Sequence, residues 1–176
     1  MIRKKSVSVT MRELMPLVIG QIENGQTVEL PVRGVSMQPF LVNGRDSIFL
    51  VSQKGREPRV GDLYMFRRAD GSYAMHRVCG VNDSGSFDFV GDNQLAVEKN
   101  VPRESLVTYV ESVRRDGKII NCEKGYWRQR MTRRMKFRLR HPDFVRRFGA
   151  VKQHAAAVIR YPVRAVCRAF GRLGGR

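Results

Sequence analysis

The chain has 176 residues, 42% of them hydrophobic, and a formal net charge of +17. The length suits one domain with a real core and a small appendage, and no run of 18 apolar residues is present to make a spanning helix. The charge is uneven: residues 1–123 carry 17 Lys/Arg against 15 Asp/Glu, whereas residues 124–176 carry 16 Lys/Arg against Asp143 alone. The sequence divides accordingly into a nearly neutral body, 1–123, and a basic tail, 124–176. A tail of that charge seeks anionic lipid, nucleic acid or an acidic protein. Three cysteines, Cys79, Cys122 and Cys167, have neither metal-ligand spacing nor the makings of a disulfide framework, which fits a reducing compartment.

The start, MIRKKSVSVTMRELMPLVIG, opens with basic residues like a secretory signal. Arg12, Glu13 and Pro16 break the run that follows, and no small-x-small cleavage site comes after it. Residues 10–24 instead predict a short helix. Thr10 caps it with Glu13 at capping-box spacing, Leu14, Leu17, Val18 and Ile22 face the body, and Asn24-Gly25 stops it. Strands are predicted at 27–33, 46–51, 62–67, 73–81, 86–91 and 106–113, separated by turn signals at Asn43-Gly44, Asp70-Gly71 and Asp83-Ser84-Gly85. Arg115-Asp116-Gly117-Lys118 reads as a hairpin tip feeding Ile119 and Ile120. The body is therefore expected to be mainly β. After Lys124, Trp127, Met131, Met135 and Leu139 recur at helical spacing among basic residues. His141-Pro142 interrupts, 143–159 predicts a second tail helix, and RYPVRAVCRAFGRL from Arg160 a short third.

Reactive side chains at strand ends are where chemistry is sought. Ser36 lies in RGVSMQPF, His76 in the strand-like YAMHRVCGV, and Asp92 in FVGDNQ directly after a strand. Serine, histidine and aspartate can act as nucleophile, general base and orienting carboxylate. The same residue types also occur as turn residues and as a structural histidine. Cys79, between apolar neighbours, reads as a buried residue and not as a nucleophile.

The boxes GVSMQPFLVNGRDSIFL, RVGDLYMFRR, MHRV and FVGDNQ, in that order, resemble those of type I signal peptidases. More broadly they resemble the serine peptidase superfamily that also holds the self-cleaving repressors, whose core is a twisted, mainly β fold. The serine box is Gly34, Val35, Ser36, Met37, Gln38 and Pro39. Gly61-Asp62 matches a Gly-Asp before a strand, and Gly91-Asp92-Asn93 matches the Gly-Asp-Asn box. The base box is His76-Arg77, which is similar to the endoplasmic reticulum and archaeal branch with histidine in place of lysine.

The resemblance implies that Ser36 is the nucleophile, His76 the base and Asp92 the group that orients or tunes His76. The Ser36 N–H would serve as one oxyanion donor. Gly34 stands where many relatives carry a hydroxyl that supplies the second. Met37 is expected as an apolar wall or as core filler, Pro39 to fix the exit of the loop, Gly61 and Asp62 to shape a turn, and Arg77 to brace a carboxylate or to face solvent. The expected activity is that of a serine endopeptidase cutting an extended peptide or leader laid along a strand edge, with no cofactor and no metal. Relatives are normally anchored by a spanning helix, and the basic tail is the candidate substitute. Trp127, Met131, Met135, Phe144, Phe148, Val158 and Ile159 would dip into an anionic surface at the inner face of a membrane, on a cytoplasmic protein. Two alternatives stand beside this reading. One is a peptidase fold that binds without turnover. The other is a nucleic-acid binder using the tail arginines with Tyr126, Trp127 and Phe137, against which no recognition motif is present.

Overall fold

The structure, a computed structural model, describes residues 8–148 and 160–162. Strand β1 (Ser8–Thr10) leads into helix α1 (Met11–Glu23), and the body continues through β2 (Val28–Pro31), β3 (Asp46–Val51), β4 (Leu63–Arg67), β5 (Tyr73–Val81), β6 (Phe87–Val90) and β7 (Val97–Val101). A single 3-10 turn, Arg103–Ser105, precedes β8 (Leu106–Arg115) and β9 (Lys118–Asn121). Helices α2 (Gly125–Arg140) and α3 (Pro142–Phe148) follow, and β10 (Arg160–Pro162) pairs with β1. The result is an antiparallel sheet ordered β2-β3-β8-β4-β5-β6-β7, with β9 beside β8, flanked by an N-terminal helix and C-terminal helices. None of the described helices is long and apolar enough to cross a membrane.

Thr10 caps α1 with the expected capping box: its hydroxyl accepts from the Glu13 N–H, and the Glu13 carboxylate accepts from the Thr10 N–H. Leu14, Met15, Val18 and Ile22 are the buried face, while Leu17 is 59% exposed. The expectation for Leu17 fails because position 15, not 17, falls on the stripe with 14, 18 and 22 at 100° per residue. The hairpin tip at Asp116-Gly117 has φ of 48° and 76°, the doubly left-handed turn that matches strand twist. Strand β7 lies where the sequence predicts none: VEKNV lacks alternation and two of its five residues are charged. The helix expected from Arg160 begins instead as a strand at Arg160–Pro162, and the remainder of that expectation, with most of 143–159, lies outside the described residues.

Strand β4 is buried on both faces, so its alternate side chains feed two cores. Leu63 and Met65 join α1, β2, β3 and β8 in one cluster, together with Met37, Phe40, Leu41 and Met131. Tyr64 and Phe66 join Val78, Phe89 and Tyr109 in the other. The tail begins as part of the body. On α2, Met131 and Met135 are buried and Trp127 lies 5.9 Å from the Phe40 ring. These three residues pack inward and are not available to enter a membrane, contrary to the periodicity argument, which finds an apolar face without saying what covers it.

Strand β5 is longer than its partners. Tyr73 to Arg77 pair with β4, and Arg77 to Val81 pair with β6. Arg77 is thus flanked on both sides, while the half of β5 before it, ending at His76, has a strand on the β4 side only among the described residues.

Candidate functional site

Ser36 is half-buried in the loop between β2 and β3, a run of turns over residues 34–41. Gly34 has a φ of 84° and the Gln38–Pro39 peptide is cis. Met37 is buried core, and its carbonyl accepts from the Leu41 N–H at 2.9 Å. The far end of the loop is tied down by Asp46, which has no exposed side-chain surface. Its Oδ2 accepts from the Val42 N–H at 2.8 Å, Arg45 donates to both oxygens at 2.9 and 3.0 Å, and Arg115 does so at 2.9 and 3.1 Å. Arg115 also donates to the Phe40 carbonyl. Burial works against the Asp46 charge, but the two arginines and the Val42 N–H outweigh it and hold the carboxyl at about 2.

The loop docks on the residues that follow β6. The Asn93 N–H donates to the Ser36 carbonyl at 2.7 Å, and Asn93 Nδ2 donates to the Val35 carbonyl at 3.3 Å. A side chain on Gly91 would start 2.8 Å from the Ser36 carbonyl oxygen, so only glycine lets the two backbones meet. On the β5 side the same segment is held by Arg77, which pairs with Val90, the residue before Gly91. The Ser36 hydroxyl and N–H make no hydrogen bond to any described residue, His76 included.

Successive residues of β5 serve opposite faces. Arg77 points to the side of Phe40, whose ring centroid is 5.5 Å from its guanidinium carbon. It is buried and forks onto Asp92 at 2.8 and 2.7 Å, with a third bond to the Gly61 carbonyl at 2.8 Å. His76 points to the side of Phe66, with ring centroids 6.1 Å apart, and is 4% exposed. Its Nδ1 lies 2.8 Å from Glu98 Oε1 of β7. That separation suits a hydrogen bond while the alignment does not, and among the described residues Nδ1 has no other partner. Arg68 grips the same carboxylate through both oxygens. Burial raises the Glu98 carboxyl, but Arg68 first and His76 second overcome it, holding it at about 2.

The sequence places Asp92 beside His76. The structure commits both Asp92 oxygens to Arg77, and the carboxylate against the imidazole is Glu98. Glu98 escapes the sequence reading because β7 itself carries no strand signal. Arg77 is a buried brace and not a solvated strand residue. Gly61 and Asp62 form the turn into β4. Asp62 Oδ2 accepts from the Arg59 N–H at 2.9 Å, and its other oxygen meets Arg128 of α2. Gly61, at a φ of 101°, abuts Thr132 of α2. Cys79 is half-buried with its thiol pushed up to about 11 by burial and then by Asp88, which suits an inert thiol.

Sequence reasoning also misses Arg138. It is buried on α2, donates to the Asp92 carbonyl, and donates to the Gln94 carbonyl at 3.1 Å. Beside Glu98 a groove of about 610 Å³ opens between the ends of β4 and β7, lined in part by Phe66, Arg67, Arg68, Lys99 and Val101. Compared with family models, curated proteins and solved structures, the chain matches none.

Proposed function

We propose that the chain is a serine endopeptidase of the signal-peptidase type, with Ser36 as nucleophile, His76 as general base and Glu98 as the carboxylate that orients it. The observation that carries this reading is the 2.8 Å approach of His76 Nδ1 to Glu98. A carboxylate only accepts, so it favours the tautomer with hydrogen on Nδ1, which leaves the Nε2 lone pair to take the serine proton. Apo contacts of this kind are often misaligned until substrate closes the site. The unengaged Ser36 N–H supplies one oxyanion donor. Asp92 and Arg77 act beneath the loop as its support. An extended peptide has a strand to pair with in Tyr73–His76, which β6 leaves open. No step requires a cofactor.

The test is digestion of a library of unstructured peptides, read by mass spectrometry, with wild type, Ser36→Ala and His76→Ala. Wild type should cleave a subset, and both variants should lose at least about 10²-fold in rate at unchanged circular dichroism. Equal cleavage by wild type and Ser36→Ala removes Ser36 from the reaction. No cleavage by wild type favours the non-catalytic binding module.

The same protein is read as a cytoplasmic one working at the inner, anionic face of a membrane. The supporting feature is the outward stripe of α2, opposite its packed face: Tyr126, Arg130, Arg133, Phe137 and Arg140, all exposed, continued by Phe144 of α3. Phe137 and Phe144 sit edge to face, 5.9 Å apart. Basic groups near an anionic surface contribute about 1 kcal/mol each, and exposed rings enter the interface. Co-sedimentation of full-length protein with phosphatidylglycerol vesicles, but not phosphatidylcholine vesicles, is expected. It should weaken with salt and disappear on Arg130→Glu/Arg133→Glu/Phe137→Ser. Binding to neither vesicle at low salt refutes it.

A further inference from the structure

Arg138 has no role in the chemistry above, yet it is 5% exposed on a helix whose other arginines are mostly in water. Burying a guanidinium costs free energy unless it is paired. Among the described residues no carboxylate lies within ion-pair distance of it, and its pKa is lowered, by burial first and then by Arg134. Its donors go to two backbone carbonyls, those of Asp92 and Gln94. The residue between them is Asn93, whose N–H holds the Ser36 carbonyl at 2.7 Å. One guanidinium therefore spans the loop that carries the Ser36 contact, and it reaches that loop from the helix on the outside of the body.

We infer that Arg138 is a positioning residue for Ser36, so that α2 sets the geometry of the nucleophile loop through residues 92–94. The catalytic part of this inference rests on the peptidase reading; the mechanical part does not. A planar fork is needed because two carbonyls two residues apart must be met at once. Lysine offers one point charge and can satisfy one of them well. The neighbouring Arg128, bound to Asp62 and the Val60 carbonyl at 3.1 Å, grips the other loop beside β5, so the helix stays docked when Arg138 is changed.

The experiment compares full-length wild type, Arg138→Lys and Arg138→Met by amide hydrogen exchange and by cleavage of whichever library peptide wild type cuts. Loosening the latch should speed exchange about tenfold or more in residues 35–41 and 91–95 of Arg138→Met, with β3 and β8 unchanged. Arg138→Lys, the milder change should Met prove unfolded, should fall between. On peptide, kcat should drop about tenfold or more while KM stays within about twofold, because the lost contact aligns the reacting atom and not the substrate. Added methylguanidinium should restore part of the rate in Arg138→Gly. Unchanged exchange in both loops of the folded variants overturns the inference, whether or not the protein cleaves peptide. So does loop loosening with kcat unaltered. If wild type cuts nothing, the peptidase reading fails on its own and the exchange result alone decides the latch.

Discussion

Asp46→Asn tests whether the far end of the Ser36 loop is fastened as the structure indicates. The substitution keeps the size of the side chain and removes its charge. A carboxyl lowered from its ordinary 3.8 to about 2 corresponds to about 2.5 kcal/mol of stabilisation at neutral pH, at about 1.36 kcal/mol per unit. Arg45, 38% exposed, rehydrates when its partner goes, but Arg115, 13% exposed, does not do so freely. That residual burial brings the expected loss to about 2.5–4 kcal/mol, or about 5–15 °C in Tm for a domain of this size. The sign with pH follows from the direction of the shift. The folded carboxyl is the stronger acid, so its contribution is complete above about pH 5 and is lost as pH falls toward 2. Urea denaturation of wild type and variant at pH 7, 5, 4, 3 and 2.5 should show a difference that is constant down to about pH 5 and then closes. A difference below about 0.5 kcal/mol at pH 7, the level of an ordinary surface substitution, refutes the account. So does a difference at pH 2.5 as large as that at pH 7.

Glu98→Gln keeps the shape beside His76 while weakening the Arg68 pair, and the proposed mechanism expects cleavage to fall by about 10²-fold or more. Unaltered rates would take Glu98 out of the mechanism. Because its carboxyl is held at about 2, the stability difference between wild type and Glu98→Gln should also shrink as pH drops from about 4.5 toward 2, measured by the same denaturation series. Gly91→Ala places a methyl 2.8 Å from the Ser36 carbonyl oxygen, a backbone atom that cannot swing away. It should cost about 1–3 kcal/mol, and a variant as stable as wild type in thermal melts would show that the two loops do not meet.

The strands that alternate were legible, and so was the hairpin whose turn needs Asp-Gly at positive φ. VEKNV was not, because β7 is an edge strand: its residues are half-buried or exposed, so its sequence carries no hydrophobic period. That one omission hid Glu98, since a carboxylate in an unassigned segment cannot be placed against a histidine. Residues of one local box were easier than the partnership between boxes. The Arg77–Asp92 fork and the Gly91 approach join segments far apart in sequence, and spacing does not specify which carboxylate meets which cation. The tail shows the same limit. Its period correctly marked a helix with an apolar stripe, but Arg128 and Arg138 read as two more solvated charges in a field of them, and only the carbonyls and carboxylate they meet set them apart.

The way α2 sits on the body decides how the tail can be studied. Ending the chain at Glu123 looks natural from the charge boundary, yet it removes Met131 and Met135, 2% and 4% exposed, and the Trp127 ring from Phe40. Deleting two such buried side chains costs about 2–5 kcal/mol each, against a total of about 5–15 kcal/mol for a typical domain. The loss of Arg128 also leaves the buried Asp62 with one fewer cation, and the loss of Arg138 leaves two loop carbonyls unmet. Residues 1–123 should therefore be unfolded, or compact without fixed packing, when examined by urea melts and proton NMR dispersion. A chain truncated after Phe148 should melt cooperatively. If 1–123 melts cooperatively within a few degrees of the full chain, the helix is an appendage and its buried face carries no stability. A membrane-binding defect in 1–123 would accordingly say nothing about lipid, because the same cut dismantles the core; the outward stripe has to be changed residue by residue with the inward face left in place.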